Sequence, residues 1–433
     1  MSNSTLEQWL QRLERLHPSA IELGLERVSA VAARLDLLAP TQVVVTVAGT
    51  NGKGSTVAVL EGLLSRAGKS TGCFTSPHFQ RFNERIRVAG VEVPDAEIVA
   101  AFVAIEEARD ATSLTYFEFT ALAALYIFRQ RQPDIIILEV GLGGRLDAVN
   151  IVDADVAIIT SIALDHQEWL GEDRGQIGVE KAGIVRQGRP VVIADADPPQ
   201  ELLDYVDSVG ATPVLRLGEA FTLRGTPQEP RVALQSASGD TVLLALPAGG
   251  ALLAENICAA LQAASLLGIT CSEGDLHAVL SGVSVTARRE ARQVAGVDYV
   301  LDVAHNPAAV HKLVEKVNIT PCKGRTLALF SVMADKDIPA MISAAADVFD
   351  AWFLAEQPGN PRAARAGDVA DMLRGAGQSM VSVSKNVRQA FRRAQSLMGA
   401  GDRLVVFGSF YTVAEVLPLL EKDHRKSVAG AAP

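Results

Sequence analysis

Residues Gly49, Thr50, Asn51, Gly52, Lys53, Gly54 and Ser55 make a glycine-rich stretch with a single lysine, and Thr56 adds a second hydroxyl behind it. Glycines let the backbone turn tightly and bring N–H groups close to a ligand, and the lysine adds a full positive charge. The chemistry written here is polyphosphate binding at a helix start. The general phosphate-loop pattern has a glycine five residues before the Gly-Lys pair and a hydroxyl directly after it. Those positions hold Val47 and Gly54, and the hydroxyls come one step late, so this is a variant loop. Tight strand-to-helix packing is the plain alternative for the same glycines.

Other side chains of catalytic type stand at the ends of apolar runs. Glu139 closes Ile135 to Leu138 and opens Val140-Gly141-Leu142-Gly143-Gly144-Arg145-Leu146-Asp147. A carboxylate at the carboxyl end of a buried strand lies at the rim of the sheet, where α/β proteins bind ligands, and its hard oxygens suit Mg²⁺ beside phosphates. Pairing with Arg145 is the structural alternative. His166, in Leu164-Asp165-His166, is evenly balanced between a ligand and a structural histidine. Ser76, in Thr75-Ser76-Pro77-His78, offers a hydroxyl to metal or phosphate, or belongs to a capped turn. Lys181, in Glu180-Lys181-Ala182-Gly183-Ile184, reads from residue chemistry alone as a surface or salt-bridged lysine. Asp302 and His305 could face a nucleotide across an interdomain cleft, and a turn built on Asn306-Pro307 accounts for them equally well.

The elements that must position these groups follow an α/β rhythm. Val43 to Val47, Ser70 to Phe74, Ile135 to Val140, Val156 to Ile162 and Pro190 to Ala194 read as strands, with a helical pattern over Thr56 to Leu64. Such alternation predicts a mainly parallel sheet with helices on both faces. Phe221 to Leu246, broken by Gly225, Pro227, Pro230 and Gly239-Asp240, reads as a β-hairpin elaboration, and Ala254 to Leu267 as a helix. The arginine-dense stretch from Thr286 to Arg292 reads as an interdomain linker. A second series follows, with strands over Val297 to Val303, Arg325 to Val332, Asp350 to Ala355 and Arg403 to Phe407, and helices such as Val310 to Val317 and Val387 to Met398. The expected fold is α/β, with a large, mainly parallel-sheet ATPase domain over 1–285 that carries the phosphate-binding loop. A linker at 286–296 and a smaller Rossmann-like α/β domain over 297–433 complete it, with Val428 to Pro433 as a frayed tail.

Composition sets the surroundings. With 433 residues, 48% of them hydrophobic, the chain can bury large cores in two or three domains. A formal net charge of −10 argues against nucleic acid or an anionic membrane as partner. No stretch reaches the roughly 18 to 20 apolar residues of a membrane span, and the start lacks a signal-peptide core. Cys73, Cys258, Cys271 and Cys322 show no close pairing, so a cytoplasmic protein is expected.

Taken in order, the loop at Gly49, Thr75-Ser76-Pro77-His78, Tyr116-Phe117-Glu118, the stretch from Glu139 to Asp147, Leu164-Asp165-His166, Glu180-Lys181-Ala182-Gly183-Ile184 and Asp302-Val303-Ala304-His305-Asn306-Pro307 resemble the folylpolyglutamate synthases within the Mur ligase superfamily. The likeness spans nearly the whole chain. Segments Glu22 to Val28 and Thr115 to Glu118 look most like the bifunctional bacterial members. The resemblance implies an ATP-dependent amide ligase that joins L-glutamate to dihydropteroate and to tetrahydrofolates through an acyl phosphate, in folate biosynthesis and one-carbon metabolism. It implies that Gly49 to Ser55 hold ATP, with Asn256, Arg288, Asp302 and His305, and that Ser76, Glu139 and His166 bind one or two Mg²⁺ ions. Lys181 would be carbamylated and help to hold metal, acting with Lys53 and His166 in catalysis. Glu22, Leu23, Gly24, Thr115, Tyr116, Phe117, Leu146, Asp147 and Ala148 would form the pterin pocket of a monomer. The family's linker carries Pro-Gly-Arg, where this chain has Thr286-Ala287-Arg288-Arg289, so Arg289 competes with Arg288. A monofunctional folylpolyglutamate synthase and a nucleotide-gated binding protein are the alternative readings.

Overall fold

In the computed structural model the chain divides into two compact units, Met1–Ser284 and Val285–Pro433. The residues described are 4–430, apart from 18, 20, 227–228, 236–239 and 248–249.

The first unit is built on one eight-stranded sheet. Its strands are β1 (Val43–Ala48), β2 (Thr71–Phe74), β3 (Ile86–Val88), β4 (Val91–Glu92), β5 (Ile135–Glu139), β6 (Val156–Ile159), β7 (Val191–Ile193) and β8 (Val214–Arg216), in the order β4-β3-β2-β5-β1-β6-β7-β8. From β2 to β8 every neighbour is parallel, and β3 and β4 add an antiparallel hairpin at one edge. Successive side chains of a strand point to opposite faces, and a parallel sheet is covered on both. Val44, Ala48, Ile136, Leu138, Ala157 and Ile159 therefore enter one core, with Trp9, Phe102, Phe119 and Phe128. Val45, Val47, Ile135, Ile137, Val156 and Ile158 enter the other, beneath the helices Lys53–Arg66 and Ala254–Leu266. This is why β1 and β5 read as largely apolar runs, broken in β1 only by the buried Thr46, and why β5 carries its one polar side chain, Glu139, at its end.

A separate antiparallel sheet holds β9 (Phe221–Thr226), β10 (Glu229–Gln235) and β11 (Thr241–Ala245), in the order β11-β10-β9. Two of the turn residues that announce it, Pro227 and Gly239, lie outside the described residues.

The second unit carries β12 (Glu290–Val294), β13 (Val297–Leu301), β14 (Thr326–Phe330), β15 (Ala351–Ala355), β16 (Val381–Ser384) and β17 (Arg403–Phe407), in the order β12-β13-β17-β14-β15-β16. All pairs but β12 with β13 are parallel. The stretch 286–296, expected as a linker, is half strand. In β12 the charged side chains fall on an edge strand, where Arg292 pairs with Glu290 at 2.6 Å, so arginine density does not prevent pairing. The helix Phe410–Gly430 also runs through Val428, where a frayed tail was expected.

Candidate active site

The loop between β1 and the helix Lys53–Arg66 is shaped by two glycines. Gly49 has φ +144° and Gly52, which caps the helix, has φ +92°. A Cβ on Gly49 would overlap the Thr160 hydroxyl, and one on Gly52 would collide with the Asn256 amide. Both positions thus require glycine for conformation and for space. The end of β6 holds the loop in place. Thr50 N donates to Ser161 O at 2.7 Å, Thr160 Oγ1 donates to Asn51 O at 2.7 Å, and Ala163 N donates to Thr50 Oγ1 at 3.0 Å. The N–H groups of the first helical turn have no carbonyl four residues back within the helix, which leaves them to an anion.

Two lysines meet on a single oxygen of this loop. Lys53 Nζ donates to Gly49 O at 2.9 Å and to Thr50 O at 3.3 Å, and Lys181 Nζ donates to the same Gly49 O at 3.2 Å. Lys181 is only 5% exposed, which corrects the reading of it as a surface lysine. Its position comes from backbone packing: the helix Arg174–Ala182 lies so close to the 141–147 stretch that a Cβ on Gly144 would stand 2.7 Å from Lys181 O. Burial, and then the charge of Lys53, push the Lys181 amine down to about 7, against the opposing pull of Asp165 and Asp147.

Glu139, 4% exposed, accepts from Ser76 N at 3.1 Å, which brings two of the expected metal-site residues together. Its carboxylate also lies by the loop, with both oxygens 3.6 Å from a Cβ built on Gly54. The alternative pairing with Arg145 does not form, because Arg145 is engaged with Glu180 at 2.7 Å. His166 has a left-handed backbone, φ +53°, and its Nε2 stands 4.0 Å from Asp165. Among the described residues no three His, Cys, Asp or Glu side chains gather into a metal site of their own.

The segments expected around a pterin converge through one arginine and one loop. Arg27 pairs with Glu22 and, at 2.9 Å, with the buried Glu118. Glu118 closes a capping box with Thr115 at the start of the helix Tyr116–Arg131. Phe117, next along that helix, packs so tightly on Gly141 that a Cβ there would collide with its ring, and it lies 5.7 Å from the Phe74 ring. Tyr116 stacks under the Arg85 guanidinium, and Leu23 and Leu146 are half-buried. Asp147 spans this neighbourhood from below: its oxygens accept from Gly141 N, Leu142 N and Val149 N at 2.8 to 3.0 Å, the last of these capping the turn Ala148–Ile151. Burial lifts the Asp147 carboxyl to about 6 although these N–H groups oppose it. Its visible work is to shape the loop.

In the second unit, Asp302 is buried at the end of β13 and accepts from Arg289 N at 2.8 Å and Ala304 N at 2.7 Å. Burial raises its carboxyl, and the neighbouring Arg288 is the largest opposing influence. The Arg288 guanidinium stands over the Phe410 ring at 5.2 Å. His305 Nδ1 lies 2.8 Å from Val303 O, and Asn306 caps the helix Pro307–Ile319, so the turn chemistry at Asn306-Pro307 is present.

The Mur ligase middle domain matches residues 47–264, and the Mur ligase glutamate ligase domain matches residues 287–410. A dihydrofolate synthase/folylpolyglutamate synthase of Escherichia coli is 43% identical over 98% of this chain and 97% of its own length. The chain belongs to the dihydrofolate synthase/folylpolyglutamate synthase branch of the Mur ligases. Solved members of this ligase family share its fold. The E. coli protein in complex with DHPP and ADP superposes with a TM-score of 0.90 at 40% identity, covering 99% of this chain and 100% of that one. A bifunctional folylpolyglutamate synthase/dihydrofolate synthase with Mn, AMPPNP and L-glutamate bound gives 0.87 at 40% identity, over 97% and 99%. A Mycobacterium tuberculosis folylpolyglutamate synthase complexed with ADP gives 0.84 at 27% identity, over 96% and 98%. Within this ligase the residues that sequence reasoning passed over are Thr160, Ser161 and Arg27. The first two lay inside the run read as a strand to Ile162, which stops at Ile159, and Arg27 carried no local signal.

Proposed function

We propose that this chain is an ATP-dependent amide ligase that adds L-glutamate to dihydropteroate and, in a second activity, to tetrahydrofolates. The observation that carries the reading is the pair Lys53 and Lys181 on the Gly49 carbonyl, in a chain whose relatives bear both activities in their names. A carboxylate is a poor acyl donor, because its leaving group would be oxide. Its oxygen therefore attacks the γ-phosphorus of ATP, giving an acyl phosphate and ADP. The glutamate amine then attacks the acyl carbon, expels inorganic phosphate and loses a proton to form the amide. Lys53 and the N–H groups at the helix start compensate the charge that builds on the transferred phosphoryl group.

Glu139, with Ser76 N on its carboxylate, fits Mg²⁺, which takes one or two protein carboxylates and completes its shell with water and phosphate oxygens, while His166 is assigned to the ion by the family resemblance alone. When bound, the ion supplies further positive charge beside the phosphates. Lys181 fits the role of a carbamate: its lowered pKa, about 7, leaves a large share of the amine neutral near pH 7, and the nitrogen lone pair adds to CO₂ with release of one proton. The product is an anion in the place of a cation, next to Lys53, where it is electrostatically welcome. Asn256, Arg288, Asp302 and His305 complete the set assigned to ATP, and Glu22 to Gly24, Thr115 to Phe117 and Leu146 to Ala148 the set assigned to the pterin. Four free cysteines accord with a cytoplasmic enzyme.

The test is amide formation by purified protein with ATP, Mg²⁺ and L-glutamate, with dihydropteroate in one arm and tetrahydrofolate in the other. Product in both arms is expected. Product from tetrahydrofolate alone would reduce the enzyme to a monofunctional folylpolyglutamate synthase, and ATP binding with no product in either arm would leave only a nucleotide-gated binder.

A further inference from the structure

We infer that Arg27 is a positioning residue for the pteridine substrates, the clamp that fixes two separate walls of their pocket against each other. The inference rests on the assignment of Glu22 to Gly24 and Thr115 to Phe117 to that pocket. One guanidinium serves both walls. Toward the first it pairs with the Glu22 carboxylate and donates from Nη2 to the Glu22 backbone oxygen at 3.1 Å, which closes the turn that contains Gly24 at φ +151°. Toward the second, the same Nη2 reaches Glu118 Oε1 at 2.9 Å.

Glu118 has a second duty that gives the contact its reach. Its other oxygen accepts from Thr115 N at 2.7 Å, while Glu118 N donates to Thr115 Oγ1 at 3.2 Å. The carboxylate is thus divided between holding the helix start and holding Arg27. Phe117, one residue earlier, packs against Gly141 so closely that a Cβ there would meet its ring. A displaced first turn would carry Phe117 with it. Arg27 Nε, moreover, is buried with no hydrogen-bond partner. A buried donor left unmatched is a cost that native structures rarely bear, and here it accompanies a side chain whose other nitrogens are fixed by two carboxylates. Lysine could not replace it, since a point charge on a flexible stem cannot serve two carboxylates and a carbonyl in one fixed plane.

The experiment measures dissociation constants for dihydropteroate and tetrahydrofolate, and separately for ADP, in wild type, Arg27→Met, Arg27→Lys, Glu118→Gln and Phe117→Ala. Arg27→Met is expected to weaken both pteridines by about 10-fold or more, as loss of a charge-assisted contact would, with ADP affinity unchanged because the phosphate loop is braced from β6. Arg27→Lys should recover little, and Glu118→Gln, which keeps the cap but not the charge, should fall between. Unchanged pteridine affinity in a folded Arg27→Met protein overturns the inference. Should that variant fail to fold, unchanged pteridine affinity in Glu118→Gln overturns it instead. If Phe117→Ala leaves pteridine binding intact, the pocket assignment itself fails and the inference falls with it.

Discussion

Replacing Lys181 by methionine tests the electrostatics of the site directly, because methionine fills similar space without titrating. The Lys181 amine falls from 10.5 to about 7 on folding, chiefly through burial and secondly through Lys53. That fall corresponds to about 5 kcal/mol of preference for the neutral form. The sign follows from proton binding. Below about pH 7 both folded and unfolded chains hold the proton, and the full cost of a buried ammonium is present. Between about 7 and 10.5 the unfolded chain binds more protons than the folded one, so wild-type stability rises with pH, and above 10.5 the cost has gone. Lys181→Met lacks this dependence. In nucleotide-free, CO₂-free buffer the variant should be the more stable protein at pH 6, and wild type should gain about 2 kcal/mol on it between pH 7 and pH 9. Urea unfolding of both proteins at each pH measures the gap. A gap that stays constant from pH 6 to 9 would refute the reasoning, since it would mean that the amine keeps its ordinary pKa in the fold.

Glu139→Gln should lower turnover by about 10²-fold or more with an unchanged melting temperature, read from steady-state ligase assays beside thermal denaturation. Gly52→Ala sets a methyl group against Asn256 at a left-handed backbone position, so ADP affinity, measured by calorimetry, should drop at least about 10-fold. Arg288→Ala should raise the KM for ATP several-fold more than Arg289→Ala, because the Arg288 guanidinium bears more strongly on Asp302. Equal effects would return the two arginines to parity.

The strands that carry the site were legible because a parallel strand covered on both faces leaves a largely apolar run, as in Val43–Ala48, where only Thr46 is polar, and Ile135–Glu139, where only the last residue is. The run Val156 to Ile162 misled at its end: the strand stops at Ile159, and Thr160 and Ser161 turn to hold Thr50 and Asn51. Nothing local marks that duty, since the partners lie more than 100 residues away in the chain. Lys181 was opaque for the same reason. A lysine in a helix of modest apolar content looks solvated, and only the close approach of residue 144 to its backbone puts it underground. Arg27 and Glu118, 91 residues apart, likewise meet only in the folded chain. The strand Glu290–Val294 was hidden by its charges, which an edge position tolerates.

The two carbonyls on which Lys53 rests also bear on which anions the loop can take. An incoming phosphate competes with oxygens four and three residues back for the three N–H donors of the ammonium, and a single small anion gains little by it. A chain of phosphates offers the lysine new oxygens and at the same time covers the row of N–H groups beside it, so the gain grows with each added group. Competition experiments should therefore rank inorganic phosphate below pyrophosphate and pyrophosphate below ATP. On that ranking, phosphate chain length would be what the loop selects, through the joint reach of one ammonium and a row of amides.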